Sequence, residues 1–321
     1  MQAIVQEAYG SVDVLQLRDV ERPVPRDDEV LLRVHAAGVG PDVWHLMAGL
    51  PYMVRLAFGL RRPRNPVPGW DAAGRVAAVG AKVTRFEPGD EVFGSCVGSF
   101  AEYARAKADK LAPKPANLGF EQAAAMPVSG VTALQALRDK ARLRPGQKVL
   151  VIGASGGVGT FAVQLAATYD AEITAVNGPA GAELVRSLGA GDVIDYTREE
   201  ITDRPGRYDV IVDAAGNRPL SLLRRVLAPR GTLVIVGGEG GGRWLGLGRP
   251  LRAHLLSPLV RQRLGTFVSV TRHTDLLALK ALAEQGKVRP VVDRSYALAD
   301  AAAAIRHLRE GHPQGKVVLA I

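Results

Sequence analysis

The stretch VLVIGASGGVGTFAVQLA, residues 149–166, decides the fold. An apolar, strand-like run breaks at a turn of glycines, and an apolar run with helical spacing follows. A helix that opens in this way leaves its first N–H groups unpaired and aims its dipole at whatever lies before them. That suits an anion, most often a pyrophosphate. The dinucleotide fingerprint is G-x-G-x-x-G after a strand. Here it reads Ala154-Ser155-Gly156-Gly157-Val158-Gly159, with Ala in the first place. Gly156 lets phosphate oxygens approach the backbone, Gly159 lets the helix pack on its strand, and Ser155 adds a hydroxyl donor.

Strand-like and helical segments alternate downstream of the turn. Strands are expected over 149–152, 173–176, 193–195, 210–213, 233–236 and 266–270. Helices are expected over 160–169, 180–188, 220–227 and 275–285, and helical spacing also runs over 121–141. This order predicts an α/β fold with a doubly wound parallel sheet. Upstream, short alternating or β-branched runs are cut by Gly, Pro and Asp turns, so the first third reads as β-rich. A helix at 301–310 and a strand at 315–321 close the chain and read as a return to the first domain. The expected division is 1–118 plus 289–321 for the β-rich domain and 119–288 for the inserted Rossmann domain.

An acid at the end of the second strand accepts a hydrogen bond from the ribose 2′-OH of NAD. Asn177 stands there instead, so no carboxylate repels a 2′-phosphate. The cofactor is therefore read as NADPH ahead of NADH, with Tyr196 on the adenosine side. Gly237 and Gly238 end a later strand near the cofactor. The glycine-rich stretch 237–242 and the Arg-bearing segment to 263 read as a lid or a dimer contact.

The 321 residues suffice for two domains, and 47% are apolar, so a large core is expected. The single cysteine, Cys96, excludes an internal disulfide and any Cys-cluster zinc site, and fits a cytoplasmic setting. The start, MQAIVQEAYG, lacks the pattern of a signal peptide. No apolar run approaches the ~20 residues of a membrane span. The net charge of +9 reads as arginine spread over the surface, not as nucleic-acid binding, because no aromatic residues interleave the clusters.

These motifs resemble the medium-chain dehydrogenase/reductase superfamily, and most of all its zinc-independent quinone oxidoreductase branch. The resemblance rests on Pro68-Gly-Trp-Asp-Ala-Ala-Gly74, Pro88-Gly-Asp-Glu-Val-Phe-Gly94, Gln122-Ala-Ala-Ala-Met-Pro127, the glycine turn, Asp209-Val-Ile-Val-Asp213 and Gly315-Lys-Val-Val318. It implies a GroES-like β-rich catalytic domain, a Rossmann domain, a cleft between them and a homodimer. It also implies NADPH-dependent reduction of quinones or α,β-unsaturated carbonyls. The zinc members carry a Cys near Val39–Asp42 and a His where Trp70 stands. Both are missing here, so no metal is expected. Zinc-free relatives commonly carry Asn-Pro-x-Asp where this chain has Gly40-Pro41-Asp42.

On the same resemblance, Tyr52 and Thr132 are the catalytic candidates. Gly40, Trp44, His45 and Trp70 are assigned to the substrate pocket, and Lys316 joins the cofactor-binding set. Two other readings stay open: a reductase dedicated to one biosynthetic intermediate, and a non-catalytic NADPH-binding sensor or RNA-binding module.

Overall fold

The computed structural model describes residues 1–204, 206–237 and 248–321, without the side chain of Pro250. The chain forms two compact units, residues 1–131 with 271–321, and residues 132–270.

The first unit opens with β1 (Gln2–Val5) and β2 (Gln16–Asp19), which pair antiparallel. β3 (Glu29–Val39) leads into α1 (Pro41–Ala48) and α2 (Val54–Phe58). β4 (Asp71–Val79), β5 (Glu91–Ser95), β6 (Tyr103–Lys107), β7 (Leu111–Pro113) and α3 (Phe120–Ala124) follow. β3 is the hub of the larger sheet. It pairs antiparallel with β4 and β6. Its small residues are buried on both faces: Ala36, Ala37, Val39 and Leu32 are fully enclosed. Gly38 is needed there. A Cβ would lie 2.8 Å from the Ala124 carbonyl oxygen and 2.9 Å from the Asp71 Cβ. α3 and Asp71 can therefore close on the strand only over a bare Cα.

Helical spacing over 121–141 does not give one helix. α3 stops at Ala124, and Pro127 opens α4 (Pro127–Gln135), because proline fits the first turn of a helix and not its interior. A π-helical turn, Ala136–Ala141, ends with Arg142 in the left-handed region at φ 54°.

In the second unit β8 (Lys148–Ile152), α5 (Gly157–Ala167), β9 (Glu172–Asn177), α6 (Ala182–Ser187) and β10 (Asp192–Asp195) build one half of a sheet. β11 (Tyr208–Asp213), α7 (Leu220–Val226), β12 (Leu227–Ile235), α8 (Gly248–Leu256) and β13 (Arg263–Thr266) build the other. The order is β10-β9-β8-β11-β12-β13, all parallel. Chain order reverses between β8 and β11, the switch point at which such sheets bind ligands beyond their strand ends. Val149, Leu150, Val151 and Ile152 are all fully buried, as strands covered on both faces must be. β13 ends at Thr266, short of the expected 270. Val268 beyond it is 90% exposed.

α9 (His273–Glu284), β14 (Val292–Ala297), α10 (Ala301–Glu310) and β15 (Lys316–Ala320) complete the first unit. β15 pairs antiparallel with β3 and parallel with β14, so the chain end does return to the first sheet. The division differs from the expected one. α3 packs on β3 and β4, and α9 packs on β7, which places both helices in the β-rich unit. Helical periodicity alone does not say which sheet a helix will cover.

Candidate active site

In the second unit the glycine turn hangs from the end of β9. The N–H groups of Gly153 and Ala154 both donate to the Val176 carbonyl oxygen, at 3.0 and 3.1 Å. Gly153 takes φ 76°, which favours a residue without a Cβ. Gly159 is required by packing: a Cβ would lie 2.1 Å from the Gly153 oxygen. Gly156 differs. It is the N-cap of α5 with no side-chain cap, and a Cβ there would meet nothing nearer than the Gly153 oxygen at 3.4 Å. The chain itself does not need a bare Cα at Gly156. That bare Cα leaves the first N–H groups of α5, those of Gly157, Val158 and Gly159, open to an approaching anion.

The structure gathers the adenosine-side candidates. Asn177 is buried, and its Nδ2 donates to the Gly178 carbonyl at 2.7 Å. Its Oδ1 is enclosed and has no partner among the described residues. A buried acceptor left open is rare in a finished structure, and a ribose hydroxyl would complete it. The Tyr196 hydroxyl lies 3.2 Å from the position a Cβ on Gly178 would take. Ser155 closes on Gly181, whose own Cβ would lie 2.6 Å from that of Ser155. The bare backbone, the helix start and the open acceptor therefore fit a dinucleotide.

The neighbouring strand ends are tied together. Val236 and Gly237 N–H groups both donate to the Asp213 carbonyl, and a Cβ on Gly237 would lie 1.9 Å from the Ala214 oxygen. Gly238 lies outside the described residues, as does most of the glycine-rich segment. Sequence reading missed the Asp213 side chain. It is fully buried, accepts from the Gly216 N–H at 2.9 Å and pairs with Arg249 on α8. An acid ending an apolar strand was the available signal. Thr132 is nearly buried in this unit, and its hydroxyl donates to Ser269 at 2.7 Å.

In the first unit, antiparallel pairing brings the end of β3 beside the starts of β4 and β15. Gly40, Asp71 and Lys316 therefore meet, although Asp71 and Lys316 are 245 residues apart. Both charged side chains are buried, and the Lys316 ammonium lies 3.4 Å from an Asp71 oxygen. The other Asp71 oxygen accepts from the Val128 N–H at 3.0 Å. Burial pushes the Asp71 carboxyl up, to about 7; the nearby Asp42 charge adds to this, while Lys316 and the Val128 N–H oppose it. The Cys96 thiol is pushed up by burial and by Asp71, so it is a poor nucleophile. Lys316, placed with the cofactor in the sequence reading, is engaged here with Asp71.

Gly40 explains the odd local sequence. A Cβ at this position would fall 2.3 Å from an Asp42 carboxylate oxygen and 3.3 Å from the Lys316 nitrogen. Asp42, in the first turn of α1, thus folds its carboxylate into the space that a side chain at position 40 would occupy.

The other pocket candidates separate. Trp44 packs against the first unit's core and lies under the Arg309 guanidinium, 3.7 Å from the ring centre, with His45 edge-on at 4.9 Å. Trp70 meets Phe58 edge-on at 5.8 Å and lines a small apolar cavity of about 120 Å³ with Tyr9 and Leu46. Tyr52 is 37% exposed, and Arg55 stacks over both Tyr52 and Tyr9. Arg55 also donates to the Gly49 carbonyl at 2.9 Å, which ties the loop after α1 to α2.

Known proteins resemble this chain along its length. Residues 26–116 match the alcohol dehydrogenase GroES-like domain, and residues 188–319 match the zinc-binding dehydrogenase model. The mouse quinone oxidoreductase is 34% identical over 99% of this chain and 97% of its own length. The chain belongs to the medium-chain dehydrogenase/reductase superfamily, in its quinone oxidoreductase-like branch. Within that family, an Arabidopsis thaliana chloroplastic NADPH-dependent alkenal/one oxidoreductase is also 34% identical, over 99% of this chain and 79% of its own length. The Escherichia coli quinone oxidoreductase, solved as a complex with NADPH, superposes with a TM-score of 0.84 at 26% identity, covering all of both chains. This chain is an oxidoreductase of the medium-chain type. Among its described residues no helix is long and apolar enough to cross a membrane.

Proposed function

We propose that this protein is an NADPH-dependent, metal-free reductase that transfers hydride to an α,β-unsaturated carbonyl or a quinone. The observation that carries the reading is the cradle. A bare Gly156 and an uncapped helix start stand beside a buried, open Asn177 acceptor, with no carboxylate at the end of β9. The relatives named for quinone and alkenal/one reduction support the substrate class, and the NADPH complex of the Escherichia coli protein supports the cofactor.

Gly156 to Gly159 would hold the pyrophosphate, and Asn177 and Tyr196 the adenosine ribose with its phosphate. When bound there, NADPH would supply the hydride equivalent for the β-carbon of an enone or a ring carbon of a quinone. Negative charge then gathers on the carbonyl oxygen, and hydrogen-bond donors must meet it. Tyr52 and Thr132 are the proposed donors, with His45 near the same loop as Tyr52. Solvent supplies the proton that completes the reduced product.

The donors at the corner support the metal-free reading. Gly40 offers no ligand atom and Trp70 offers an indole. Both Asp71 oxygens are already engaged, one by Lys316 and one by Val128. A zinc site needs three imidazole, thiolate or carboxylate ligands. The protein is further read as a cytoplasmic homodimer acting on a small molecule.

The test is NADPH oxidation at 340 nm with a panel of enones and quinones after exhaustive chelation. The reading expects turnover that chelation does not reduce. Alcohol oxidation restored only by zinc would refute it, and tight NADPH binding with no turnover across the panel would favour a sensor.

A further inference from the structure

The second unit carries a feature that the reductase reading does not use. At the N-terminal ends of β8, β11, β12 and β13 lies a concavity of about 540 Å³. Arg142, Arg144, Arg230 and Arg263 line it, together with Gln147 and Asp209. The glycine turn follows the opposite end of β8, a five-residue strand, which places the two sites about 16 Å apart at ~3.3 Å per residue. The concavity is thus at the wrong edge of the sheet for the dinucleotide.

All four arginines are exposed, and among the described residues none of their guanidinium groups has an ion-pair or hydrogen-bond partner. Some arginines of this unit are paired, Arg204 with Glu199 and Asp192 and Arg249 with Asp213; these four stay unpaired among the described residues although they share one hollow. The one acid in the concavity, Asp209, accepts from the Lys148 N–H at 2.9 Å and cannot neutralise four cations. Arg142 is also held at φ 54°, a conformation that L residues adopt at a cost. Four like charges around one hollow repel one another, and a multiply charged anion would turn that repulsion into attraction. The planar guanidinium fork matches phosphate oxygens in pairs. The volume is within the range of small-ligand sites.

We propose that this concavity is a second anion site, which takes a ligand carrying two or more linked phosphates at the sheet edge opposite the dinucleotide cradle. The arginines come from the turn before β8, the start of β12 and the start of β13, so linked phosphates can meet more of them at once than a single phosphate can. Inorganic triphosphate and the triphosphate of a nucleotide share the required chemistry.

The test is calorimetric titration of the full chain, saturated with NADPH, with inorganic triphosphate, ATP and orthophosphate in turn. Triphosphate binds at one per chain and orthophosphate at least tenfold more weakly. The double variant Arg142→Gln with Arg230→Gln weakens triphosphate at least tenfold, and leaves the melting temperature and NADPH affinity unchanged. ATP binding tenfold tighter than triphosphate assigns the site to a nucleotide, and equal binding assigns it to phosphates alone. Three results would overturn the proposal: no saturable triphosphate binding at low salt, binding indifferent to the double variant, or orthophosphate as tight as triphosphate. A single-stranded RNA that binds and is not displaced by triphosphate would overturn it in favour of nucleic acid. None of these readouts depends on reductase turnover.

Discussion

Two glycines follow strands in comparable corners of this protein and do opposite work. After β8, Gly156 has open space where its side chain would be, and the chain puts nothing into that space. After β3, Gly40 has the same lack of a Cβ, but the Asp42 carboxylate fills the gap beside the buried Asp71–Lys316 pair. One bare Cα leaves room that the proposed function gives to a ligand; the other makes room for the protein's own charge cluster. A glycine in a motif therefore has no meaning until its empty volume is inspected.

The comparison breaks first at the charge cluster. Lys316→Met removes the one cation among the described residues within ion-pair distance of Asp71 and leaves a buried carboxyl to be neutralised. A loss of about 3–5 kcal/mol in urea unfolding is expected at neutral pH, as for other broken buried pairs. The pH dependence has a definite sign. The Asp71 pKa is raised in the folded state to about 7, from 3.8, so the folded protein holds its proton longer than the unfolded chain. Its contribution to stability is full below about pH 4 and is lost as pH rises towards about 7. The stability difference between wild type and Asp71→Asn should move in wild type's disfavour across that window. A difference that is flat with pH would show that Asp71 is ionised throughout.

The next effect concerns Gly40. An alanine there collides with Asp42 and should cost about 1–3 kcal/mol, the usual range for overpacking. Removing the carboxylate as well, in Gly40→Ala with Asp42→Ala, should recover part of that loss. A double-mutant cycle on melting free energies measures the coupling. Strict additivity would mean that Asp42 does not occupy this space.

Gly156→Ala should behave in the opposite manner. Its Cβ has room in the chain, so stability should fall by no more than about 1 kcal/mol, the usual penalty of an alanine at a helix N-cap. NADPH should bind about tenfold more weakly, roughly 1.4 kcal/mol, because the methyl group stands where phosphate oxygens approach. Fluorescence titration of NADPH alongside thermal melts separates the two effects.

The legibility of the two corners from sequence differs for a physical reason. The cradle is local: strand, turn and helix are contiguous, and each glycine's role follows from the geometry of that turn. The doubly wound sheet follows from the same alternation. The Asp71–Lys316 pair depends on antiparallel register across β3, which joins residues from opposite ends of the chain. The place of the Asp42 carboxylate beside Gly40 is not legible from spacing either, because it depends on the side chain folding back over the first turn of α1. Arg249 is likewise brought to Asp213 only by the packing of α8. Trp44 shows what a sequence leaves out: a large aromatic beside a candidate loop reads as a pocket residue, while its place beneath Arg309, 265 residues on, is set by tertiary packing.

The most direct test of the central claim is coenzyme selectivity at Asn177. With an enone held at saturation, kcat/KM is measured for NADPH and for NADH in wild type and in Asn177→Asp. The account predicts that wild type prefers NADPH and that the aspartate, by repelling the 2′-phosphate, lowers the NADPH value about tenfold while sparing NADH, a change of roughly 1.4 kcal/mol. A wild-type enzyme that prefers NADH, or a selectivity ratio that Asn177→Asp leaves unchanged, would contradict it.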